Sequence, residues 1–431
     1  MPTTQTTLPI VLENVRLIGG GPSARESATV LIRDGRLEIL EGEPPPAEAR
    51  RVDASGQILM PGFFDLRAHL REPGREDSET IATGTAAAVN GGFTGLLMTP
   101  DTVPPVDNGG MVQNLAALSA GAPIPVFITG CLSRRREGQE LAEIGEMHAR
   151  GAAMICDDPG TSCGPQLLRR ALQYARDLGI LLATHPDLPE LSAGGAMHEG
   201  RTSYRLGLPG IPPCAEEIGL ARDIRLAQSC RSRLHIRHVT TARGVETIRR
   251  YKKELEGLTA EVSPHHLIFT DEHVGDYDTS FKVQPPLRSR EDIAALIDGL
   301  KDGTIDIIAT DHAPRTEFEK AREFSAAPFG MTWLDHALPA LYQHLILPGL
   351  ITWELLVERM ALAPRRLLGL PVPSLRSGSE VNAVLFHPGA PTHVTREFLQ
   401  SRSINTPFLD QRLEGSVSMV MLRDKILKGQ A

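Results

Sequence analysis

Eight short apolar runs between residues 62 and 312 constrain the fold more than any other feature of this sequence. Polar loops and helical patterns separate them, among them SETIATGTAAAVNGG, GPQLLRRALQYARDLG and RSREDIAALIDGLKDG. Buried strands that alternate with helices predict an α/β fold with a parallel sheet covered by helices, and eight strands close a (β/α)₈ TIM-type barrel. The runs are GFFDLRAH (62–69), GFTGLLM (92–98), IPVFITG (124–130), AAMICDD (152–158), GILLATH (179–185), RLHIRH (233–238), TAEVSPHH (259–266) and DIIATDH (306–312).

Both ends of the chain are rich in strand patterns instead. The N-terminal part contains PIVLENVRLI and ATVLIRDGRLEIL, in which Asp-Gly is a hairpin signal, and the C-terminal part contains NAVLFHP and GSVSMVMLRDKILKG. We therefore expect residues 1–61 and 366–431 to form one small composite β-sandwich domain, and residues 62–365 to form the barrel.

Composition excludes several classes of protein. The 45 Lys and Arg residues against 53 Asp and Glu residues give a net charge of −8 without charged blocks, so we expect neither nucleic acid nor a membrane surface as partner. No apolar run is long enough for a membrane span, and MPTTQTTLPIVLENVRL lacks the features of a secretory signal. Five cysteines without a C-x-x-C pair argue against a disulfide framework and fit a reducing cytosol, so we expect a cytoplasmic protein.

Imidazole and carboxylate side chains recur at the carboxyl ends of the predicted strands. In a barrel of this kind those ends line the active site. One such histidine alone is usually a hydrogen-bonded structural residue, but several strands that end in this way predict a divalent metal site, with zinc a suitable ion. The residues concerned are Arg67, His69, Asp157, His185, His238, His265, His266 and Asp311.

At this point the sequence resembles a known family. The segment DLRAHLREPG is similar to the His-x-His-Leu-Arg-x-Pro-Gly signature of cyclic amidohydrolases, above all class I dihydroorotases. Further segments resemble that family in the same order through nearly the whole chain. They are TPDTVPPVD, ICDDPG, THPDLPELSAGGAMHEG, IRHVTTARGVE, SPHHLIFTDE, QPPLRSREDIAALIDGLKDGTIDIIATDHAP, APFGMTWLDHALP and SRSINTPFLDQRLEGSV.

The resemblance implies roles for individual residues. Asp311 would be the general base, and Arg71 would clamp the substrate carboxylate with its planar guanidinium. Asp157 stands where hydantoinases and allantoinases place a carboxylated lysine, which favours the dihydroorotases that use Asp there. The metal ligands would be His69, Asp157, His185, His238 and Asp311.

Four residues depart from the family pattern at the implied site. Arg67 replaces the first histidine of His-x-His, and a guanidinium has no lone pair for a metal. Asp101 replaces an Asn that helps to hold the substrate carboxylate, Gln284 replaces another Asn, and Arg315 replaces a substrate-contacting His. We therefore expect at most one tightly bound zinc ion, at His185, His238 and Asp157, or none.

Three interpretations stay open at this stage. The first is a dihydroorotase that interconverts N-carbamoyl-L-aspartate and dihydroorotate in pyrimidine biosynthesis with an impaired metal site. The second is a catalytically inactive dihydroorotase-like subunit that acts as a scaffold for aspartate transcarbamoylase. The third is an amidohydrolase with an altered cyclic-amide substrate. The resemblance implies a small-molecule substrate for the first and third interpretations, and a homo-oligomer is expected in each case.

Overall fold

The computed structural model describes residues 9–19, 25–157 and 163–429. Five strands come first, and they pair into a sheet that the end of the chain completes. They are β1 (Ile10–Leu17), β2 (Arg25–Arg33), β3 (Arg36–Leu40), β4 (Arg50–Asp53) and β5 (Ile58–Pro61). Asp34 and Gly35 join β2 to β3 with φ of 50° and 71°, the left-handed backbone that a two-residue hairpin turn requires.

Eight parallel strands then form the barrel, and two short strands interrupt their series. The strands in chain order are β6 (Phe63–Ala68), β7 (Phe93–Met98), β8 (Val126–Gly130), β9 (Ala152–Ile155), β10 (Leu181–Thr184), β11 (Met197–His198), β12 (Gly210–Ile211), β13 (Leu234–Ile236), β14 (Leu258–Val262) and β15 (Ile307–Ile308). Strands β6, β7, β8, β9, β10, β13, β14 and β15 are neighbours in that order, while β11 and β12 pair with each other in a separate two-stranded sheet. A parallel bridge between Ala68 and His312 closes the ring, and His69 N donates to His312 O at 2.9 Å.

Helices connect the strands. Their ranges are α1 (Ile81–Asn90), α2 (Gly109–Leu118), α3 (Ile144–Ala149), α4 (Pro165–Leu178), α5 (Pro189–Ser192), α6 (Arg201–Leu206), α7 (Pro213–Cys230), α8 (Ala242–Tyr251), α9 (Pro264–Ile268), α10 (Arg290–Asp302), α11 (Glu317–Lys320), α12 (Ala337–Leu341), α13 (Trp353–Val357) and α14 (Ala363–Leu367). Short 3₁₀ turns occupy Ser119–Gly121, Arg134–Arg136, Asp271–Val274, Thr279–Phe281 and Leu334–His336, and π-turns occupy Tyr342–Ile346 and Glu358–Leu362. Local sequence explains α10, because Ser289 and Asp292 form a capping box at its start and Gly303 ends it with φ of 84°.

The end of the chain returns to the N-terminal sheet. The strands in this part of the chain are β16 (Asn382–His387), β17 (Thr392–His393), β18 (Arg412–Leu413), β19 (Ser416–Leu422) and β20 (Lys425–Lys428). Strands β17 and β18 pair with each other in a separate two-stranded sheet. The sheet order is β20-β19-β16-β5-β1-β2-β3, and β4 pairs with β1. Strands from both ends of this order contribute to one apolar core, for example Val30 and Met421, so the sheet curves around that core.

The predicted fold class is confirmed, with all eight apolar runs contributing barrel strands and both termini sharing one β-domain. One strand prediction extends too far, because TAEVSPHH leaves the strand at Val262 and continues as α9, so His265 and His266 lie on a helix. The domain boundaries at residues 61 and 365 stay a prediction. No helix in the described ranges is long and apolar enough to cross a membrane.

Gly91 directly follows α1, where the segment after the barrel packs closely against the end of this helix. A Cβ at Gly91 would overlap the carbonyl oxygen of Leu334, a backbone atom that has no room to move in this packed region. We expect Gly91→Ala to lower the free energy of unfolding by about 1–3 kcal/mol, the usual range for overpacking. Chemical denaturation measures the change, and Gly121→Ala is the control because its Cβ would meet no atom within 4 Å. Equal stability of the two variants would contradict this packing.

Candidate active site at the mouth of the barrel

The segments that follow the barrel strands surround a cavity of about 190 Å³. Six of the residues predicted for the site line it together, which are His69, Arg71, Asp101, Gln284, Asp311 and Arg315. Arg67 completes the polar part of the lining, and Val283, Ala313, Phe329 and Gly330 supply the rest. Three guanidinium groups and two carboxylates therefore face one small space.

Arg67 joins two of the predicted ligands. Its Nε lies 2.9 Å from Oδ1 of Asp311 in an ion pair, and its Nη1 donates a hydrogen bond to Nε2 of His238. The Arg67 side chain is 1% exposed and that of Asp311 7%, so both charges are removed from water. A guanidinium only donates, so Nε2 of His238 must accept. The hydrogen of this imidazole therefore sits on Nδ1, which lies 3.2 Å from the Ser263 hydroxyl.

The charge of Arg67 sets the protonation of both neighbours. Burial by itself would raise the pKa of the Asp311 carboxyl, but Arg67, with His238 and His69, holds this pKa well below its usual range. Burial and the positive charge of Arg67 also hold the pKa of His238 well below its usual value. An anionic carboxylate and a neutral imidazole are therefore the stable forms at neutral pH.

A second ion-pair cluster surrounds Asp101. Arg71 Nη1 lies 2.5 Å from its Oδ2, and His69 Nδ1 lies 2.8 and 2.9 Å from its two oxygens. The Thr99 hydroxyl donates to Oδ1 at 2.6 Å. Burial would raise the pKa of the Asp101 carboxyl, but His69 and Arg71 hold it well below the usual range. Asp101 thus forms an ion pair with the guanidinium of Arg71, to which the family resemblance assigns binding of the substrate carboxylate.

Arg315 is the third guanidinium of the cavity. Its Nε donates to the carbonyl oxygen of Phe329 at 2.9 Å, and its backbone N–H donates to the side chain of Asn405 at 3.0 Å. Burial and the neighbouring Arg71 lower the pKa of Arg315 to about 10, so it stays charged at neutral pH. Among the described residues no carboxylate forms an ion pair with it within 4.0 Å. Arg315 therefore brings a positive charge to the cavity, where Glu319 and Asp101 act on it from beyond ion-pair distance in the described part of the chain.

Three of the predicted ligands, Asp157, His185 and His238, do not line this cavity. The Asp157 carboxylate accepts hydrogen bonds from the backbone of Leu132 at 2.8 Å and of Ser133 at 3.0 Å, and from the Ser133 hydroxyl. Burial raises the pKa of Asp157, because these bonds only partly offset its removal from water. Asp157 and His185 line a separate, smaller pocket, and the His185 ring lies 5.5 Å from that of His238.

This arrangement does not fit a metal ion. Zinc needs three or four protein ligands around one point. Within residues 9–19, 25–157 and 163–429, no three His, Cys, Asp or Glu side chains are placed to hold a metal. Arg67 bonds to His238 and Asp311, and Asp157 is directed toward Ser133, so the structure does not assemble the predicted set of His69, Asp157, His185, His238 and Asp311.

Backbone geometry directs three of the site side chains. Arg71, His238 and Asp311 have φ of 61°, 55° and 51°, in the left-handed region that non-glycine residues rarely adopt. Such residues cost about 1–3 kcal/mol each and persist only where their surroundings hold them. Each one here makes an ion pair or a hydrogen bond inside one of the two clusters.

Several contacting residues were not predicted from the sequence. Thr99, Ser133 and Ser263 hold Asp101, Asp157 and His238 by their hydroxyl groups. Thr99 directly follows β7, so its position two residues before Asp101 is a signal that could have identified it. Ser133 follows β8 at the same edge of the barrel, but nothing in its local sequence marks it as a partner of Asp157.

The Arg67–Asp311 pair gives a test of the buried charges. Arg67→Met should lower the free energy of unfolding by about 3–5 kcal/mol, because a buried carboxylate loses its partner. The folded-state pKa of Asp311 lies below its unfolded value, so this stabilisation is complete at neutral pH and is lost as the pH falls below about 4.

Chemical denaturation of the unaltered protein and of Arg67→Met, from pH 7 to pH 3, measures the difference in the free energy of unfolding. Arg249→Met is the matched control, since Arg249 pairs with Asp302 at 2.8 Å on the surface with side chains 40% and 43% exposed. An exposed pair contributes about 0–1 kcal/mol. If Arg67→Met lowers the free energy of unfolding no more than Arg249→Met does, the result would contradict a buried ion pair at Arg67.

Comparisons with known proteins agree with this architecture. Residues 56–244 match the family model described as dihydro-orotase-like. A dihydroorotase of Pelotomaculum thermopropionicum is 43% identical over 409 residues, which is 94% of this chain and 96% of the relative. One from Anaeromyxobacter sp. strain K is 41% identical over 422 residues, 97% of each chain.

Solved structures show the same fold at lower identity. An L-hydantoinase (dihydropyrimidinase) from Arthrobacter aurescens has a TM-score of 0.84 at 22% identity and covers 98% of this chain and 96% of its own. A dihydropyrimidinase from Brevibacillus agri has a TM-score of 0.83 at 20% identity, with coverages of 98% and 95%. The barrel with its composite β-domain, together with the identity to full-length relatives, shows that the chain belongs to the dihydroorotase-like family of amidohydrolases.

Proposed function

We propose that this protein is a dihydroorotase-type cyclic amidohydrolase whose metal site is impaired, acting on N-carbamoyl-L-aspartate or dihydroorotate in pyrimidine biosynthesis. The relatives named dihydroorotase support the substrate class. The observation that carries the impairment is the contact of Arg67 with both Asp311 and His238. A permanently charged donor at this point competes with any cation for the same two side chains.

The proposed roles follow from the charges around the cavity. Asp311 is the general base, but its ion pair with Arg67 lowers its pKa and so weakens it as a proton acceptor. Arg315 and Gln284 recognise the acid group of the substrate, since Arg315 has no carboxylate partner among the described residues. Arg71 contributes less, because Asp101 already lies against its guanidinium.

Metal content and turnover test the impairment. We expect the purified protein to contain less than one zinc ion per chain and to hydrolyse dihydroorotate slowly or not at all. Arg67→His together with Asp101→Asn should increase bound zinc and raise turnover by up to about a hundredfold, the effect of restoring a misplaced group. Elemental analysis and a coupled hydrolysis assay measure both. Full zinc occupancy with rapid turnover in the unaltered protein would overturn the proposal.

Ligand binding tests the assignment of Arg315. Arg315→Gln should weaken binding of dihydroorotate about tenfold to a hundredfold, because a hydrogen bond to a charged group contributes roughly 1.5–3 kcal/mol. Asp101→Asn should strengthen binding, since it removes a like charge and releases Arg71. Calorimetric titration measures both variants, with Arg249→Met as control. Weaker binding after Asp101→Asn would show that Asp101 helps to hold the ligand.

A second candidate function is a catalytically inactive subunit that acts as a scaffold for aspartate transcarbamoylase. The observation that favours it is that both cavity carboxylates, Asp101 and Asp311, are held in ion pairs. Co-purification with aspartate transcarbamoylase from the same cells tests it.

The third candidate function is an amidohydrolase with an altered cyclic-amide substrate. Asp101 favours it, because its negative charge would repel a substrate with an acid group but not a substrate with a neutral ring. A hydrolysis screen of neutral cyclic amides separates it from the other two.

A further inference from the structure

The segment from Arg315 to Gly330 leaves the mouth of the barrel and returns beside the cavity. Its two ends are held together, because Ala313 N donates to Met331 O at 2.9 Å. Phe329 and Gly330, at its returning end, line the cavity next to Arg315. The position of this wall therefore depends on whatever holds the segment.

Two buried lysines hold it through backbone carbonyl groups. Lys282 is 3% exposed, and its Nζ donates to Phe324 O at 2.6 Å and Ser325 O at 3.0 Å. Lys320 is 8% exposed, and its Nζ donates to Pro328 O at 3.1 Å and Gly330 O at 3.0 Å. In the described part of the chain, neither ammonium has a carboxylate within 4.0 Å.

Burying a cation without a counter-ion is unfavourable unless hydrogen bonds replace its hydration. The four carbonyl groups supply those bonds, and the lysines in turn satisfy carbonyl groups of an irregular segment. The ring of Phe329 also lies 4.8 Å from Lys282 Nζ, within the range of a cation–π contact. The same contacts therefore fix the ammonium groups and the cavity wall.

We propose that Lys282 and Lys320 are positioning residues that set the place of Phe329, Gly330 and Arg315 at the cavity. The link to Arg315 is direct, since its Nε donates to Phe329 O at 2.9 Å. Gly330 N donates to Lys282 O at 2.9 Å, so the backbone of Lys282 adds a further anchor. This role does not depend on which reaction the cavity supports.

The two lysines hold different parts of the segment. Phe324 is 4% exposed and packs with Ala196, Met197 and Val274, so the part near Lys282 also has an apolar anchor. The part near Lys320 includes Pro328 and Gly330, where Asn405 Nδ2 also donates to Gly330 O at 3.1 Å. Loss of Lys320 should therefore loosen residues 328–330 more than residues 321–325.

Proton binding gives this arrangement a measurable signature. Burial lowers the pKa of Lys320 to about 7, and the charges of Arg315 and Lys282 act in the same direction, whereas Asp278 and Glu319 act in the opposite one. An opened segment exposes the amine and raises this pKa, so opening takes up a proton. By linkage, opening should become rarer as pH rises from about 7 toward 10.5, roughly fivefold between pH 7 and pH 8.

Hydrogen–deuterium exchange of the full chain at pH 7, 8 and 9, corrected for intrinsic chemistry, tests the proposal. In the unaltered protein, we expect peptides from residues 314–331 to open less as pH rises. Lys320→Met should remove that pH dependence and increase opening at pH 9 about tenfold, through loss of bonds to buried carbonyls. Lys282→Met should increase opening near residues 324–325 but keep the pH dependence. Lys301→Met is the control, since its side chain is 49% exposed.

The exchange pattern distinguishes positioning of this segment from a general contribution of the lysines to stability. A pH profile without slope in the unaltered protein would overturn the proposal, and so would exchange in Lys320→Met that matches Lys301→Met. A uniform increase that includes α4, far from the segment in sequence, would also overturn it, because it would show a general loss of stability. If Lys320→Met does not fold, Lys282→Met decides through its bonds to Phe324 O and Ser325 O, and exchange near residues 324–325 that matches Lys301→Met would overturn the proposal.

Discussion

The guanidinium of Arg67 is the charge on which the mouth of the barrel depends. It is permanently protonated, it only donates, and its side chain is 1% exposed, so the fold must supply acceptors. Asp311 and His238 supply them from the ends of two different strands. This contact fixes Asp311 as an anion and His238 as a neutral acceptor. A cation that needs the same lone pairs has to displace Arg67 first, which makes the two arrangements mutually exclusive.

The remaining charges of the cavity follow from this pairing. With Asp311 held by Arg67, the other carboxylate of the described cavity lining is Asp101, and it lies against Arg71. The chain thereby places its own carboxylate on the guanidinium that faces the cavity from the β6 side. Arg315 lies close to Arg71, whose Nε donates to Pro314 O at 3.3 Å, and its own Nε donates to Phe329 O in the segment that Lys282 and Lys320 hold.

Much of this architecture could be predicted from the sequence, because strands, helix ends and the hairpin at Asp34-Gly35 are local properties of the chain. The sequence also identified six residues that line one cavity, although it placed Asp157, His185 and His238 at the same site. It could not give side-chain direction. Asp157 turns toward two backbone N–H groups and a hydroxyl on the neighbouring strand end, and Arg67 selects its partners in three dimensions. Lys282 and Lys320 leave no periodic signal, since Lys282 follows a short 3₁₀ turn, Lys320 ends the four-residue helix α11, and a lysine is normally exposed.

The strained backbone explains why the mouth keeps its shape with a guanidinium at its centre. Left-handed conformations at Arg71, His238 and Asp311 need attractive forces on their side chains to persist. A metal ion bound by imidazole and carboxylate would be one source of such forces, and a buried guanidinium with donors in several directions is another. Arg67 donates a hydrogen bond to His238 and forms an ion pair with Asp311, and Asp101 forms an ion pair with Arg71. The three strained residues at the mouth of this barrel are therefore held by ion pairs and hydrogen bonds among its own side chains.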